Sequence, residues 1–268
     1  MIRVFQILVL SCAVLLLTGC EGGEKEKPIW EQLKIGDLAA SGVAKRPEER
    51  LLKTLNFDFY VFEMPLENVS VLEDVWPKLS IEHLQFRDYE AFQANSFSIG
   101  FGQLLLWDEI ADLLRAAGGR RVEADALLLM DGQTRDLGIA SVEREQTIFY
   151  VSADGPEEQM MTGSGRISLR IKVERIPGSR GVCNFTAEPV FLPLRDRSAT
   201  KSAAGSETGI ILFNSCRFGL KMSPGDFVFF GPAKYVSERS TLAGLFFSRA
   251  KPRPVVRTYL IVCAGIID

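Results

Sequence analysis

Alternation of apolar and polar residues dominates the second half of the chain. Residues 166–176 alternate strictly, which predicts a strand with one polar and one apolar face. Further strands are predicted where aromatic and β-branched residues cluster between turn signals. The predicted strands cover residues 57–64, 97–102, 122–130, 133–140, 147–152, 165–176, 181–191, 210–222, 227–230 and 255–267.

A helical period occurs mainly in the first half. Apolar residues recur at one-turn spacing from Trp107 to Ala117, and Gly118-Gly119 follows, which predicts an amphipathic helix with glycine just past its end. Residues 66–79 also have helical spacing, and residues 48–55 predict the end of a short helix. Asp131-Gly132 joins two predicted strands and is typical of a hairpin turn. The pattern predicts an α+β fold, rich in strands towards the C-terminus.

The N-terminus predicts export and lipidation. Arg3 precedes an apolar run over residues 4–17, too short to span a membrane as a helix and of the length of a signal-peptide core. The run ends in Leu17-Thr18-Gly19-Cys20, which is similar to a bacterial lipobox. We expect a signal peptide over residues 1–19 and a lipid anchor on Cys20. The alternative is an ordinary secretory signal with an incidental cysteine.

The residues after Cys20 predict a tether and a location. Residues 21–31 are charged and rich in glycine, as expected of a tether, so residues 20–54 are predicted to hold the anchor, the tether and the short helix, and residues 55–268 the folded domain. In the sorting rule that the lipobox resemblance implies, an aspartate after the cysteine retains a lipoprotein at the inner membrane. Glu21 occupies that position here. We therefore expect an outer-membrane lipoprotein that faces the periplasm.

Composition excludes some classes of function. Hydrophobic residues make up 47% of the chain and charged residues 24%, which is typical of a globular protein. Lysine and arginine number 31 against 34 aspartates and glutamates, for a net charge of -3. The chain lacks the basic excess with which proteins collect phosphates along a nucleic acid, so no nucleic-acid partner is expected.

Candidate catalytic and metal-binding residues are few. His83 is the only histidine, and the cysteines form no C-x-x-C pair, so the usual zinc spacings are missing. A Ser-His-Asp site would have to use His83, for which a surface role is the simpler interpretation. The carboxylates of Asp108, Glu109 and Asp112 could form a cluster, although a solvated helix face explains them better. We expect no catalytic residue, no metal ligand and no cofactor.

Three cysteines lie in the predicted domain. They are Cys183, Cys216 and Cys263, an odd set in an oxidising compartment. At most one pair can form a disulfide, so at least one of them is expected to be a buried free thiol. The sequence leaves their pairing open.

The order of several motifs adds a resemblance. A strand with a glutamate near its end is followed by an amphipathic helix, a strand that ends in Asp-Gly and a short strand. Two long strands around a glycine turn come next, and then a glycine-containing apolar strand, a short apolar segment and a terminal apolar strand. This order resembles the C-terminal domain of bacterial secretins, the oligomeric outer-membrane gates of secretion and pilus machines. The motifs cover residues 59–64, 107–117, 126–133, 137–139, 165–191, 223–232, 242–248 and 257–263.

The resemblance implies a structural function and no enzyme activity. Secretin subunits each contribute strands to a shared ring, so it implies a homo-oligomer, or a contact with secretion-machine components, and a buried Phe246. The stretch between Cys20 and residue 55 is too short for the domains that ordinarily precede a secretin core. We therefore expect a short, lipid-anchored, secretin-like protein. The alternative is an outer-membrane lipoprotein that acts as a structural or partner-binding scaffold without a pore.

The apolar face of the strand over residues 166–176 is expected to differ between these alternatives. In an assembly it would meet lipid or a neighbouring subunit. In a monomer it is expected to pack against the helix Trp107 to Ala117. The residues of this face are Ile167, Leu169, Ile171 and Val173.

Overall fold

The computed structural model describes residues 54–153, 155–194, 209–233, 240–249 and 253–267. The predicted signal peptide, Cys20, the tether and most of the loop over residues 195–209 lie outside these residues. Strands greatly outnumber helices, which confirms the predicted strand-rich α+β class. The strands are β1 (Thr54–Pro65), β2 (Gln85–Phe86), β3 (Phe97–Gln103), β4 (Arg120–Met130), β5 (Thr134–Val142), β6 (Gln146–Val151), β7 (Glu157–Thr162), β8 (Gly165–Arg175), β9 (Cys183–Pro193), β10 (Ile211–Leu212), β11 (Phe218–Met222), β12 (Asp226–Pro232), β13 (Ser248–Arg249) and β14 (Val255–Ile266).

Most strands belong to two antiparallel sheets. Sheet A has the order β3-β12-β14-β1-β4, with β13 beside β14. Sheet B has the order β2-β11-β9-β8-β5, with β10 beside β9, and β6 and β7 form a separate hairpin. The first and last strands, β1 and β14, are neighbours at the centre of sheet A over almost their whole length. The middle of sheet A is therefore built from residues about 200 positions apart in the sequence.

The main core lies between the two sheets. Phe57 of sheet A contacts Phe185 of sheet B, with ring centroids 5.4 Å apart, and Phe230 contacts Phe218 at 5.6 Å. Side chains from alternate positions of the facing strands are buried here, as in other face-to-face sheet packings. Phe246 is completely buried in this core, which confirms the prediction for that residue.

Short helices cover the other face of sheet A. Trp107 packs against Phe62 and Phe227, with centroid distances of 5.5 and 6.0 Å, and Trp76 packs against Phe229 at 5.4 Å. The centre of sheet A is thus buried on both faces, which explains the continuous apolar sequence of β12. The helices are α1 (Leu72–Val75), α2 (Tyr89–Ala94), α3 (Trp107–Ala116) and α4 (Leu242–Phe247), with 3₁₀ turns at Leu66–Val71, Trp76–Lys78, Leu104–Leu106 and Asn214–Cys216.

The predicted amphipathic helix is confirmed as α3. It ends in a Schellman motif, in which the Gly119 amide donates to the Leu114 carbonyl at 2.8 Å and the Gly118 amide to the Arg115 carbonyl at 2.9 Å. Gly118 adopts a φ of 70°, a conformation that glycine tolerates best. This compact ending lets β4 begin at Arg120, directly beside β1.

The Asp131-Gly132 turn does not make a hairpin, contrary to the sequence prediction. The Gln133 amide closes the turn by donating to the Met130 carbonyl at 3.0 Å. However, β4 pairs with β1 in sheet A, whereas β5 pairs with β8 in sheet B. The turn therefore links the two sheets, and a local turn signal does not report which strand each flanking segment pairs with.

Two other predicted elements have different boundaries. The single strand predicted over residues 210–222 is broken into β10 and β11 by the 3₁₀ turn Asn214–Cys216, which buries Ser215 and Cys216. The helix predicted over residues 48–55 is wrong at its end, because Thr54 and Leu55 belong to β1, and residues 48–53 lie outside the described part of the chain. Pairing with β4 and β14 overrides the helical pattern at Thr54 and Leu55.

The apolar face of β8 packs against sheet A, and the prediction that it packs against α3 is wrong. Ile167, Leu169, Ile171 and Val173 are completely buried in the core between the sheets. The α3 residues Trp107, Ile110, Ala111 and Leu114 are buried on the opposite face of sheet A. Both amphipathic elements bury their apolar faces, but each does so against a different side of the same sheet.

The hairpin of β6 and β7 was only half predicted. Residues 147–152 were predicted as a strand, and β6 confirms it, whereas no pattern predicted β7 at Glu157–Thr162. Its sequence, Glu-Glu-Gln-Met-Met-Thr, is mostly exposed and lacks β-branched residues before its last position. Strand β7 forms because it pairs with β6, and the Tyr150 hydroxyl of β6 donates a hydrogen bond to the Glu158 carboxylate of β7.

Candidate assembly surface

Strand β4 is an open edge of sheet A. Ten of its eleven residues pair with β1 from Met130 back to Arg120, with a register shift at Val122, and no other strand of the described chain pairs with it. The opposite edge of the sheet differs, because Ser80 exchanges two backbone hydrogen bonds with Phe101 of β3, at 2.8 and 2.9 Å. A long edge strand offers a row of backbone donors and acceptors to another chain. Sheet A therefore presents such a row on β4.

The side chains of β4 are unusually exposed for a strand at the edge of a core. From Val122 to Ala126 every residue is exposed, and only Leu127 and Leu129 are buried against the core. Leu128 is 60% exposed and Met130 is 56% exposed. Exposed apolar side chains beside an open backbone edge are features of a pairing surface. We call the outward residues of β4, from Val122 to Met130, the β4 edge.

Acidic residues restrict what can pair with the β4 edge. Glu123 and Asp125 alternate with the small residues Ala124 and Ala126 in its middle. Charges on an edge strand oppose indiscriminate pairing, because a partner must supply compensating charge. The edge is therefore suited to a specific partner rather than to general aggregation.

A polar cluster on β1 adjoins the β4 edge. The Tyr60 hydroxyl donates to Asp58 Oδ2 at 3.4 Å, and the Arg121 guanidinium lies 5.6 Å from the centre of the Tyr60 ring. Burial, and secondarily the Asp58 charge, raise the pKa of Tyr60 to about 12, and burial raises the pKa of Asp58. Asn56 adds a buried Oδ1 without a hydrogen-bond partner among the described residues. The cluster is a half-shielded polar surface next to an open strand.

The Tyr60 pKa predicts a change in stability at alkaline pH. Because the pKa is about 12 in the folded protein and 10.0 in the unfolded chain, the contribution of Tyr60 is complete below pH 10 and is lost as the pH rises to about 12. We expect the free energy of unfolding to fall less steeply over this range in Tyr60→Phe than in the wild type. Urea unfolding at several pH values measures the slope. The control is Tyr89→Phe, because Tyr89 is exposed. Equal slopes for Tyr60→Phe and the wild type would contradict the raised pKa of Tyr60.

The residues singled out in the sequence are dispersed. Cys20 lies outside the described residues. Glu109 forms an ion pair with Lys78, and Asp112 forms one with Arg115, so these two carboxylates point to different cations on the exposed face of α3. The described residues contain no group of three or more His, Cys, Asp or Glu side chains arranged to hold a metal ion. His83 is exposed and stacks on Phe101, with centroids 4.7 Å apart, while its Nδ1 lies 3.3 Å from Ser80 Oγ.

The three cysteines of the domain are buried free thiols. Cys183 and Cys263 lie against each other across the two sheets, and the Cys183 thiol also donates to the Met222 carbonyl at 3.6 Å. Their hydrogen bond lowers the pKa of Cys183 and raises that of Cys263. Burial raises the pKa of Cys216 to about 12. All three thiols behave as core residues.

One arrangement was missed by the sequence analysis. The glutamate near the end of β1, Glu63, is surrounded by Arg120, Arg249 and Arg257, which come from three different strands. The only signal in the sequence is the density of basic residues over 249–257, which contain Arg249, Lys251, Arg253 and Arg257. The glutamate and Arg120 are too far from that segment in sequence to be linked to it by spacing.

No family model, curated protein or solved structure matches this chain. The resemblance to secretins thus stays a prediction from the order of motifs. Among the residues described, no helix has the length and apolar character needed to cross a membrane.

Proposed function

We propose that this chain is a lipid-anchored, secretin-like envelope protein that serves as a non-catalytic subunit or accessory of a protein-secretion or pilus-type assembly. In this proposal Cys20 carries the lipid, and the domain faces the periplasm from the outer membrane. The observation that carries the proposal is the β4 edge, which combines exposed Leu128 and Met130 with a backbone row that no second strand of the described residues pairs with. The order of the motifs between residues 55 and 268 supports the same proposal.

Pairing through β4 explains how copies would associate. A strand added to β4 would extend sheet A and satisfy the backbone groups that β1 leaves free on the outer side. Leu128 and Met130 would then be covered by apolar side chains of the incoming strand. The partner strand would place basic or neutral residues opposite Glu123 and Asp125, because like charges directly opposite each other destabilise a sheet.

A test of the proposal uses charge on the β4 edge. In the double variant Leu128→Lys and Met130→Lys, two exposed apolar residues become cations, which should leave the core intact and weaken association by at least about tenfold. The measurement is the molar mass of the full lipoprotein in mild detergent, by light scattering over a range of concentrations. The matched control is Leu105→Lys, since Leu105 is exposed and lies outside β4.

Crosslinking locates the contact independently. A cysteine at Ala124 should form crosslinks between subunits with a short bifunctional reagent, whereas a cysteine at Leu105 should not. The native thiols of the domain are buried and should not compete. A wild-type protein that remains monomeric at every concentration and forms no crosslinks at position 124 would contradict a role as a self-associating subunit.

A second candidate function is a scaffold lipoprotein without a pore. The observation that favours it is the closed core, because Ile167 and Leu169 are completely buried between the sheets of a single chain. In this alternative the β4 edge binds a strand of a different envelope protein. A monomer that binds one partner copy through β4, and loses it in the Leu128→Lys and Met130→Lys variant, would support the scaffold.

A further inference from the structure

A cleft of about 570 Å³ lies where β1 ends and β4 begins. Its walls come from the ends of β1 and β4, from β13 and from the start of β14, so distant parts of the sequence meet there. The charged residues among its described lining are Glu63, Arg120, Arg249 and Arg253. This cleft, which we call the arginine cleft, is separate from the exposed apolar end of the β4 edge at Leu128 and Met130.

Strand register builds the cleft. Glu63 of β1 pairs directly with Arg257 of β14 on one side and with Arg120 of β4 on the other. The Arg257 guanidinium binds Glu63 Oε1 through Nε and Nη2, both at 3.0 Å. Arg249 enters from β13, with Nη1 3.5 Å from Oε1, and Arg120 Nη2 lies 3.6 Å from Oε2. One carboxylate thus organises three guanidinium groups.

The guanidinium groups divide into two kinds. Arg257 is partly buried and lies within hydrogen-bond distance of the buried Glu63 side chain, so this pair is part of the structure. Arg120 and Arg249 are 71% and 55% exposed, and their distances to the carboxylate exceed those of a normal N–H···O hydrogen bond. Their donor groups therefore face the open cleft in addition to Glu63.

The charges in the cleft do not balance. Among the described residues, Arg120, Arg249 and Arg253 line the cleft, and Arg257 pairs with Glu63. The carboxylates of Glu63 and of Glu123, which lies nearby on β4, offset two of these four guanidinium groups and leave an excess of two positive charges. The chain as a whole is slightly acidic, with a net charge of -3, so this is a local concentration of positive charge. A concave surface with one sign of charge attracts ions of the opposite sign.

We propose that the arginine cleft binds a phosphate-bearing ligand. A phosphate carries more than one negative charge near neutral pH and offers several acceptor oxygens, so it can accept from Arg120, Arg249 and Arg253 at once. Guanidinium groups bind phosphate through paired N–H donors. A ligand with a single carboxylate would offset only one of the two excess charges. The inference goes beyond the assembly function and does not depend on it.

The experiment titrates the full lipoprotein in neutral detergent and measures binding by calorimetry. One arm uses inorganic phosphate, a second uses dihexanoyl phosphatidic acid as a soluble lipid headgroup, and a third uses acetate, all at the same ionic strength because surface charges are screened by salt. We expect the two phosphate compounds to bind and acetate to bind at least about tenfold more weakly. Tighter binding of the lipid identifies a headgroup as the ligand, and tighter binding of inorganic phosphate identifies a free phosphate.

Matched variants assign the binding to the cleft. Arg120→Gln with Arg249→Gln should weaken phosphate binding by at least about tenfold, because two of the guanidinium donors are lost. The fold should stay intact, because Arg257 remains to neutralise Glu63. Arg87→Gln with Arg144→Gln removes the same charge from exposed positions elsewhere and should bind as the wild type. Arg120→Lys with Arg249→Lys retains the charge, loses the paired donors and should bind with intermediate affinity, which gives a second readout if the first variant unfolds. Absence of phosphate binding, equal binding of acetate, or wild-type affinity in the glutamine variant would overturn the proposal.

Discussion

Replacing Phe246 by alanine is expected to lower the free energy of unfolding by about 3–5 kcal/mol, the usual cost of removing a buried aromatic side chain. Phe246 lies on α4 and is completely buried, with ring centroids 5.5 Å from Phe97 and 6.1 Å from Phe230. Its carbonyl accepts a hydrogen bond from the buried Tyr259 hydroxyl at 2.5 Å. The loss would open a cavity in the centre of the core.

Chemical denaturation followed by fluorescence or circular dichroism measures this effect. Leu105→Ala is the matched control, because Leu105 is an exposed apolar residue and its truncation should change the free energy of unfolding by less than about 0.5 kcal/mol. Equal unfolding midpoints for Phe246→Ala and the wild type would show that α4 does not pack as the structure has it. The segment over residues 242–248 would then no longer support the resemblance to secretins.

Replacing Cys20 by alanine is expected to abolish lipidation. Three acyl chains on one cysteine anchor a protein strongly, since each methylene group buried in the membrane contributes about 0.8 kcal/mol. Without the thiol no lipid can be attached, and the lipoprotein signal peptidase should leave the precursor uncleaved. We expect no incorporation of labelled fatty acid and no mature protein in the outer-membrane fraction. Metabolic labelling and membrane fractionation measure both results.

Cysteine 12 provides the control for that experiment. It lies inside the apolar run and outside the segment from Leu17 to Cys20, so Cys12→Ala should be lipidated and processed like the wild type. Fatty acid that still enters the Cys20→Ala variant would contradict lipidation at this residue. A wild-type protein that partitions with the soluble fraction would contradict the anchor itself and, with it, the proposed location.

The assembly and phosphate-binding proposals can fail separately. The lysine substitutions at Leu128 and Met130 alter the apolar end of the β4 edge. The glutamine substitutions at Arg120 and Arg249 alter the arginine cleft, which lies where β4 begins. Light scattering measures the first and calorimetry the second. A monomer that binds phosphate, or an oligomer that does not, would therefore identify which of the two proposals is wrong.

Elements with a strong local pattern were predicted well. The 3.6-residue period and the closing glycines of α3 specify a helix and its end without reference to the rest of the chain. Strict alternation specifies β8 and its buried face, and the aromatic, β-branched composition specifies β1. Strand β7 had no such pattern, because its residues are mostly exposed and its pairing with β6 defines it.

The candidate site was largely beyond prediction because it depends on pairing. Glu63 was visible as a glutamate at the end of a strand, but nothing in its neighbourhood indicated Arg120 and Arg257. These arginines meet it only because β4 and β14 flank β1 in a particular register. A shift of that register by one residue would move each side chain to the other face of the sheet.

The local order of residues thus predicts the strand-rich α+β class, the helix α3 and the buried Phe246, which the structure confirms, whereas the lipobox at Cys20 stays a prediction. The confirmed features depend on periodicity, composition or motif order that can be read along the chain. The assignment of β4 and β5 to different sheets, the packing of β8 against sheet A, the open β4 edge and the arginine cleft depend on contacts between segments up to about 200 residues apart. Such contacts follow from burying all the apolar faces together, and no single segment contains the information for that arrangement.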